Sequence, residues 1–449
     1  MILEKITTPG LAHYSYFLAA GGKSAVIDPR RDIEVYLRLA RDHGCSIDYI
    51  FETHRNEDLI SGACALAEQT GATVLHGPNA AAEVKYAKVT TEGDSYTLGA
   101  LELKVLETPG HTDDHIAVAI YDQDYAEGAV AVFTGDALFV GDVGRTDFYP
   151  ERREEVAGLL WDSLQKLMKL GDQAIVYPAH GAGSVCGSGM ADREETTIGH
   201  ERANNPRLQL PGRDEFIREK LGETHYYPPY FTNMEKLNLV GARMPENCPL
   251  PRPVSIAETE QLNIDKLVDV RGALAFAAAH LPGSLCIPIT MLSAFAGWFL
   301  ESKDRLLIVA DSSAQWQEAV TQLQRIGFDQ IVGALLNPVQ QIAQGNKFRT
   351  IPLHDSSAVR QRLADADKPG LLLDVRAQDE VESLAIKQAR HIYIGQLQEH
   401  WKNLETDTPV TVMCGSGMRA TIAASWLLHK GLTDVEVYLG SPAALTQDN

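Results

Sequence analysis

Two segments of the chain repeat one another, and the repeat narrows the folds open to the C-terminal half. "LVDVRGALAF" begins at residue 267 and "LLLDVRAQDE" at residue 371, which sets Asp269 and Asp374 105 positions apart. Each run is apolar, ends in Asp-Val-Arg and opens a mixed α/β stretch of similar length. Two copies of one small α/β domain are the economical reading. The proline-rich "NCPLPRPVS" at 247–255 breaks the pattern before the first copy, and "AQGNKFRT" at 343–350 is the expected linker between them. The chain is therefore divided at 1–250, 255–345 and 350–449.

At 449 residues each of these parts is long enough to bury a core. A net charge of -20 repels nucleic acid and anionic lipid, so neither is expected as a partner. No apolar run reaches the roughly 18 residues that would span a bilayer. The N-terminus, "MILEKITTPG", has neither a basic nor an apolar leader region, so the cytoplasm is the expected location. The 6 cysteines form no Cys-x-x-Cys pair and no disulfide framework.

In the N-terminal part, "SAVIDP", "YIFETH", "ATVLHG", "LELKVLETPG" and "GAVAVFTGD" read as strands ending in polar loops. "DIEVYLRLARDHG" reads as a helix with Asp32 as its cap and Gly44 as its stop. Histidine and aspartate collect at the strand ends, where α/β folds place their sites. "FETHRNEDLISG" brings His54, Asn56, Asp58 and Leu59, and "ETPGHTDDH" brings His111 and His115. "FTGDALFVGDVGRTD" brings Asp136 and Arg145, and "VYPAHGAG" brings His180.

This order resembles the metallo-β-lactamase fold, an αββα sandwich. The resemblance implies one metal held by the first histidine pair and the Pro-Gly-His histidine, and a second held by the Asp-His pair and the Pro-Ala-His histidine. The Gly-Asp aspartate would bridge. Here Asn56 and Leu59 stand where imidazoles belong, which argues against two zinc ions. His54, His111 and Asp136 are left as two imidazoles and a carboxylate, a set that leaves about three positions of an octahedral iron(II) open. A zinc hydrolase needs one open position, and a site kept only for hydrogen bonding needs none.

The N-terminal 245 residues are more specifically similar to persulfide dioxygenases. The likeness rests on "AVIDPRRD", "FETHRNEDLISG", "ETPGHTDDH", "FTGDALFVGDVGRTD", "YPAHGAGSVCG", "TTIGHERANNP" and "YYPPYFTNMEKLN". It implies one Fe(II) per chain at His54, His111 and Asp136. It also implies oxidation of a thiol persulfide, glutathione persulfide above all, by dioxygen to sulfite, and it allows a homo-oligomer. Asn56, Asp58, His115 and His180 are then expected behind the metal. Arg145 either contacts a substrate carboxylate or forms a buried salt bridge with Asp142 or Asp147. Cys186 is expected to be a buried loop thiol rather than a persulfide acceptor.

"PVTVMCGSGMRATIAASWLLHKG" at 409–431 reads as strand, loop and helix, with Ala423, Trp426 and Leu427 on one helix face. Cys414 falls between strand and helix. Gly415, Ser416, Gly417 and Met418 turn backbone N–H groups toward its sulfur, and the helix N-terminus and Arg419 add positive charge. The loop resembles that of a rhodanese, which implies a Cys414 persulfide exchanging sulfur with thiosulfate or sulfite. In the middle copy, "LLIVADSSAQWQ" offers Asp311 for the cysteine and Trp316 for the arginine. That copy is expected to lack the chemistry, and Cys286 is expected in its core. Two rival readings are a sulfurtransferase with an inactive N-terminal domain and a zinc thioester hydrolase of the glyoxalase II type.

Overall fold

The computed structural model describes residues 1–80, 82–125, 128–184, 186–187, 189–242, 252–364, 370–404 and 408–446. Most of the proline-rich stretch expected as a boundary, residues 247–251, lies outside these. The chain forms two compact units, residues 1–246 with 325–327 and residues 247–324 with 328–449.

The first unit holds two six-stranded sheets. One runs in chain order through Ile2–Thr8, His13–Ala20, Lys23–Ile27, Ser46–Glu52, Thr73–His76 and Lys88–Val89. The other orders Thr196–Thr197, Ile175–Pro178, Ala131–Gly135, Ile116–Asp122, Leu101–Glu107 and Ser95–Leu98. Strand alternation sorts their side chains into layers. Tyr16, Leu18, Ile27 and Phe51 of the first sheet share a core with Leu103, Val105, Val118 and Phe133 of the second. Phe17, Ala19 and Val26 turn the other way, onto Ile33, Tyr36 and Leu66. On the far side Val132 and Val176 pack on Leu160, Leu164 and Phe216. Helices therefore cover both outer faces, which is the αββα sandwich.

One local expectation fails. The helix runs Glu34–Asp42 with Ile33 at its N-cap and no side-chain cap. Asp32 pairs with Arg30 at 3.0 Å instead.

The second unit holds two parallel sheets of like connectivity. Ser284–Cys286, Lys266–Asp269, Leu306–Ala310 and Ile331–Leu336 form the first. Ala389–His391, Leu371–Asp374, Val410–Met413 and Val435–Tyr438 form the second, extended at its edge by Leu353–His354. The repeated Asp-Val-Arg has one physical job in both. Arg271 reaches back to the Asp269 carboxylate at 2.7 Å and on to the Ala279 carbonyl at 2.8 Å. Arg376 does the same with Asp374 at 2.6 Å and Leu384 at 2.8 Å. Each buried, hydrogen-bonded pair fixes the strand end and the segment that follows it.

The sheet register corrects the placing of Asp311. Val270 N–H donates to Val309 O, and Val375 N–H donates to Met413 O. The next residues, Ala310 and Cys414, are therefore the counterparts, and Asp311 is one position further on and exposed. Counted from the corresponding residues Val309 and Met413, three residues precede helix Ser313–Arg325 and four precede Met418–His429. Cys286 is buried, and its N–H donates to Ser425 Oγ at 3.0 Å.

Candidate metal centre

His54 follows strand Ser46–Glu52, His111 and His115 lie in the loop between Leu101–Glu107 and Ile116–Asp122, Asp136 follows Ala131–Gly135 and His180 follows Ile175–Pro178. The sheets thus deliver all five to one end of the sandwich, and all five are buried. His54, His111 and Asp136 converge so that one ligand atom from each lies within 4.8 Å of the others. Asp136 Oδ2 is 3.4 Å from His111 Nε2 and 3.8 Å from His54 Nε2.

The imidazoles are held in the tautomer that a metal needs. His111 Nδ1 donates to the Arg145 carbonyl at 3.0 Å, so its Nε2 carries the lone pair when the ring is neutral; burial opposes a charge there, but Glu57 and Asp136 outweigh it and raise the His111 pKa. Asp28 accepts from the Thr53 N–H at 2.7 Å and from the Thr53 hydroxyl at 2.9 Å. That leaves the hydroxyl oxygen to accept from His54 Nδ1 at 2.9 Å, and frees His54 Nε2 in the same way whenever Asp28 is ionised. Burial pushes the Asp28 carboxyl up to about 7 even against those two bonds. Burial also holds His54 well below its ordinary pKa, which keeps the ring neutral. Neither Nε2 has a hydrogen-bond partner among the described residues. Two buried lone pairs without partners are what a metal would satisfy, so the residues fit a resident ion.

Asp136 is positioned from behind. Its N–H donates to His115 Nε2 at 2.9 Å, and His115 passes its Nδ1 proton to Thr108 Oγ1 at 2.8 Å. Burial lowers His115 to about 3, so it stays a neutral strut. Gly144 allows the close approach of the next loop, because a Cβ there would lie 2.0 Å from the Asp136 carbonyl oxygen.

A second group, Asp58, His180 and Cys186, also converges within 4.8 Å. Its histidine is already satisfied at both nitrogens, although Asp58 Oδ1 has no hydrogen-bond partner among the described residues. His180 gives Nδ1 to Asp136 Oδ1 at 2.7 Å and Nε2 to Asp58 Oδ2 at 3.0 Å. A ring donating from both nitrogens is an imidazolium. Burial opposes that charge, but Asp136 and Asp58 outweigh it and raise His180 well above its ordinary pKa. Burial likewise pushes the Cys186 thiol up, so the thiolate is disfavoured.

Arg145 meets the centre through its backbone. Its guanidinium makes paired bonds to Asp147 at 2.6 and 2.7 Å and donates to the Tyr226 carbonyl at 3.2 Å. The side chain is in the buried salt bridge, with Asp147 rather than Asp142 as the partner shown. Asn56 is buried, and its carbonyl and that of Leu59 accept from Asn238 Nδ2 at 2.8 Å each. Asn238 Oδ1 accepts from Ser61 N–H at 2.9 Å, and Tyr230 OH donates to the Asp58 carbonyl at 3.1 Å. The tail quoted as "YYPPYFTNMEKLN" is thus the clamp on the ligand loop.

Sequence reasoning passed over Glu57. Its Oε2 is buried and lacks a hydrogen-bond partner among the described residues, 3.9 Å from His54 Nε2 and 3.8 Å from His111 Nε2. It also passed over His76, which bridges Glu52 at 3.2 Å and Asp114 at 2.8 Å behind the centre. His76 could have been found as the polar end of the "ATVLHG" strand.

In the second unit, Cys414 is buried at the end of Val410–Met413, and Gly417 N–H donates to its Sγ at 3.1 Å. Gly417 takes φ +85°, and a Cβ there would come within 2.5 Å of Leu439. Glu380 pairs with Arg419 at 2.5 and 2.7 Å, which offsets part of the positive charge Arg419 brings to the loop. Gly415, Ser416 and Met418 lie on the exposed side of the loop.

Residues 8–180 match the metallo-beta-lactamase superfamily, and residues 256–340 and 355–447 each match the rhodanese-like domain. A hydroxyacylglutathione hydrolase of Cereibacter sphaeroides is 33% identical over 184 residues, which cover 40% of this chain and 67% of that protein. The mitochondrial persulfide dioxygenase ETHE1 of Mus musculus is 29% identical over 231 residues, 49% of this chain and 80% of its own. A metallo-beta-lactamase structure from Staphylococcus aureus superposes with a TM-score of 0.68 at 26% identity, covering 75% of this chain and 98% of the other. The chain spans only 57% of the length of several other curated relatives. By these matches and by its fold, the chain belongs to the metallo-beta-lactamase superfamily and carries two rhodanese-like domains behind its metallo-beta-lactamase domain.

Proposed function

We propose that the chain is a persulfide dioxygenase coupled to a sulfurtransferase, acting in sulfane sulfur metabolism in the cytoplasm. Residues 1–250 would oxidise the persulfide, 255–345 would be a rhodanese-like domain without a thiol, and 350–449 would transfer sulfur through Cys414. The observation that carries the reading is the pair of unpartnered Nε2 atoms on His54 and His111 facing Asp136, beside positions 56 and 59 that offer no imidazole. Iron(II) held there would supply a Lewis-acidic, redox-active centre for a thiolate sulfur and dioxygen. The chain's own residues do the rest. Thr53 and the Arg145 carbonyl hold the imidazole tautomers, His115 fixes the Asp136 loop, and the His180 imidazolium bridges Asp58 and Asp136 and offsets one of their two charges.

The overall reaction balances as glutathione persulfide, dioxygen and water giving glutathione and sulfurous acid, which ionises to sulfite. Four electrons leave the terminal sulfur and reduce one dioxygen. At the second site the Cys414 thiolate would attack the sulfane sulfur of thiosulfate or of a persulfide, releasing sulfite or thiol, and would pass that sulfur on. Cys414→Ser is expected to abolish sulfur transfer and spare oxygen uptake. Loss of both would contradict two separable sites.

The likeness to a hydroxyacylglutathione hydrolase favours one rival, a thioester hydrolase. Incubating the zinc-loaded and iron-loaded protein with S-lactoylglutathione separates the two. The proposal expects no hydrolysis with either metal, and steady hydrolysis by the zinc form would replace it.

A further inference from the structure

We infer that Arg55 is the anion-binding residue of the substrate pocket and takes a carboxylate of the thiol that carries the persulfide. This deepens the proposed function, since it names a substrate class for the same site and rests on that reading.

Arg55 follows His54 directly in the ligand loop and is only 6% exposed. Its Nε is buried without a hydrogen-bond partner, and its guanidinium makes no hydrogen bond or salt bridge among the described residues. A guanidinium taken out of water without a partner is costly, so buried arginines are ordinarily paired. Arg145, Arg271 and Arg376 obey that rule, each bound to an aspartate at 2.6–2.7 Å.

Acids stand near Arg55 but are committed elsewhere. Glu57, Asp114 and Glu235 are close enough to act on its charge. Asp114 is held by His76 at 2.8 Å, Glu235 accepts from Tyr227 OH at 3.1 Å, and Glu57 Oε2 faces the two imidazoles of the centre. The same neighbours place the guanidinium. Phe148 meets His111 edge-on with ring centres 5.2 Å apart, and Tyr227, half-exposed, meets Phe148 at 6.1 Å. Arg55, between Glu57 at the ligands and Glu235 beside Tyr227, thus lies along the aromatic wall that runs from His111 to solvent. A planar guanidinium fork takes a carboxylate through two parallel bonds. Three acids nearby lower the positive potential, which favours a single negative charge over a dianion such as sulfite. The persulfide carrier therefore bears a carboxylate away from its reacting sulfur, and Arg55 holds it.

The test uses the full-length chain in metal-free and iron-loaded forms. Isothermal titration of the metal-free parent with glutathione and with glutathione diethyl ester, whose carboxylates are masked, reads the subsite without turnover. Glutathione is expected to bind about tenfold or more tightly than the ester, and Arg55→Met to bring the two near equality. Arg55→Lys should recover only part of the preference, because it keeps the charge and loses the fork. In the iron-loaded protein, Arg55→Met should raise KM for glutathione persulfide about tenfold, with kcat falling less. Equal or absent binding of both compounds by the parent, a result that needs no variant to fold, would overturn the role of Arg55. So would a preference for glutathione that survives in Arg55→Met, or binding of sulfite in place of glutathione. A parent that keeps the preference but takes up no oxygen would leave the subsite standing and remove the proposed function.

Discussion

Two clusters of histidine and acid meet at Asp136, and they differ in whether the protein has already satisfied their imidazole nitrogens. His54 and His111 each use Nδ1 on a neighbouring oxygen and leave Nε2 without a hydrogen-bond partner among the described residues. His180 uses both nitrogens, on Asp136 and on Asp58, and is charged. Residue type alone would rank the clusters equally. Hydrogen bonding separates them, because a lone pair is available in one and consumed in the other.

Breaking the open cluster should have the largest effect. His111→Ala is expected to reduce the iron content of anaerobically loaded protein from about one per chain to near zero, read by elemental analysis. The drop should exceed the roughly 10–100-fold that follows loss of a group behind a ligand. Asp58→Asn breaks the closed cluster and should do the reverse. It leaves iron content near the parent's but lowers stability by about 3–5 kcal/mol in denaturant unfolding, since it strips a partner from a buried imidazolium. If Asp58→Asn instead empties the site, the two clusters act as one.

The closed arrangement recurs at His76, between Glu52 and Asp114, and there it gives a pH signature. Burial opposes protonation of His76, but the two carboxylates outweigh it and lift its pKa to about 10. A raised pKa favours the fold below the ordinary value near 6.5, and that support is lost as pH rises through about 10. Asp114, whose carboxyl His76 holds well below the usual range against the pull of burial, loses its share only in strong acid. The parent's melting temperature should therefore fall between about pH 7 and 10 more steeply than that of His76→Gln. Equal slopes would remove His76 as the cause. Cys186→Ala should have the smallest effect, about 1 kcal/mol of stability with no change in iron content, because the thiol belongs to the cluster that needs no ion.

The sequence carries the ligands plainly because each closes an apolar strand: His54 after "YIFE", Asp136 after "AVFTG". The αββα layering is legible for the same reason, since strand alternation fixes which side chains face which layer. What escapes is whatever depends on how loops fold back. Glu57 looks like an ordinary loop acid until its oxygen is placed between two imidazoles. Asn238 is remote in sequence from the loop it ties down, so no spacing announces it. Arg145 has two readings that only its partner Asp147 separates. In the rhodanese-like copies Asp311 is the first polar residue after the apolar run, and the sheet register shows that Ala310 holds the place of Cys414.

The proposed persulfide oxidation stands on iron held by His54, His111 and Asp136. Oxygen uptake on adding glutathione persulfide to anaerobically iron-loaded protein tests it most directly, with His54→Ala alongside. The account expects uptake in the parent that vanishes in the variant; no uptake in the parent, or equal uptake in both, would contradict it.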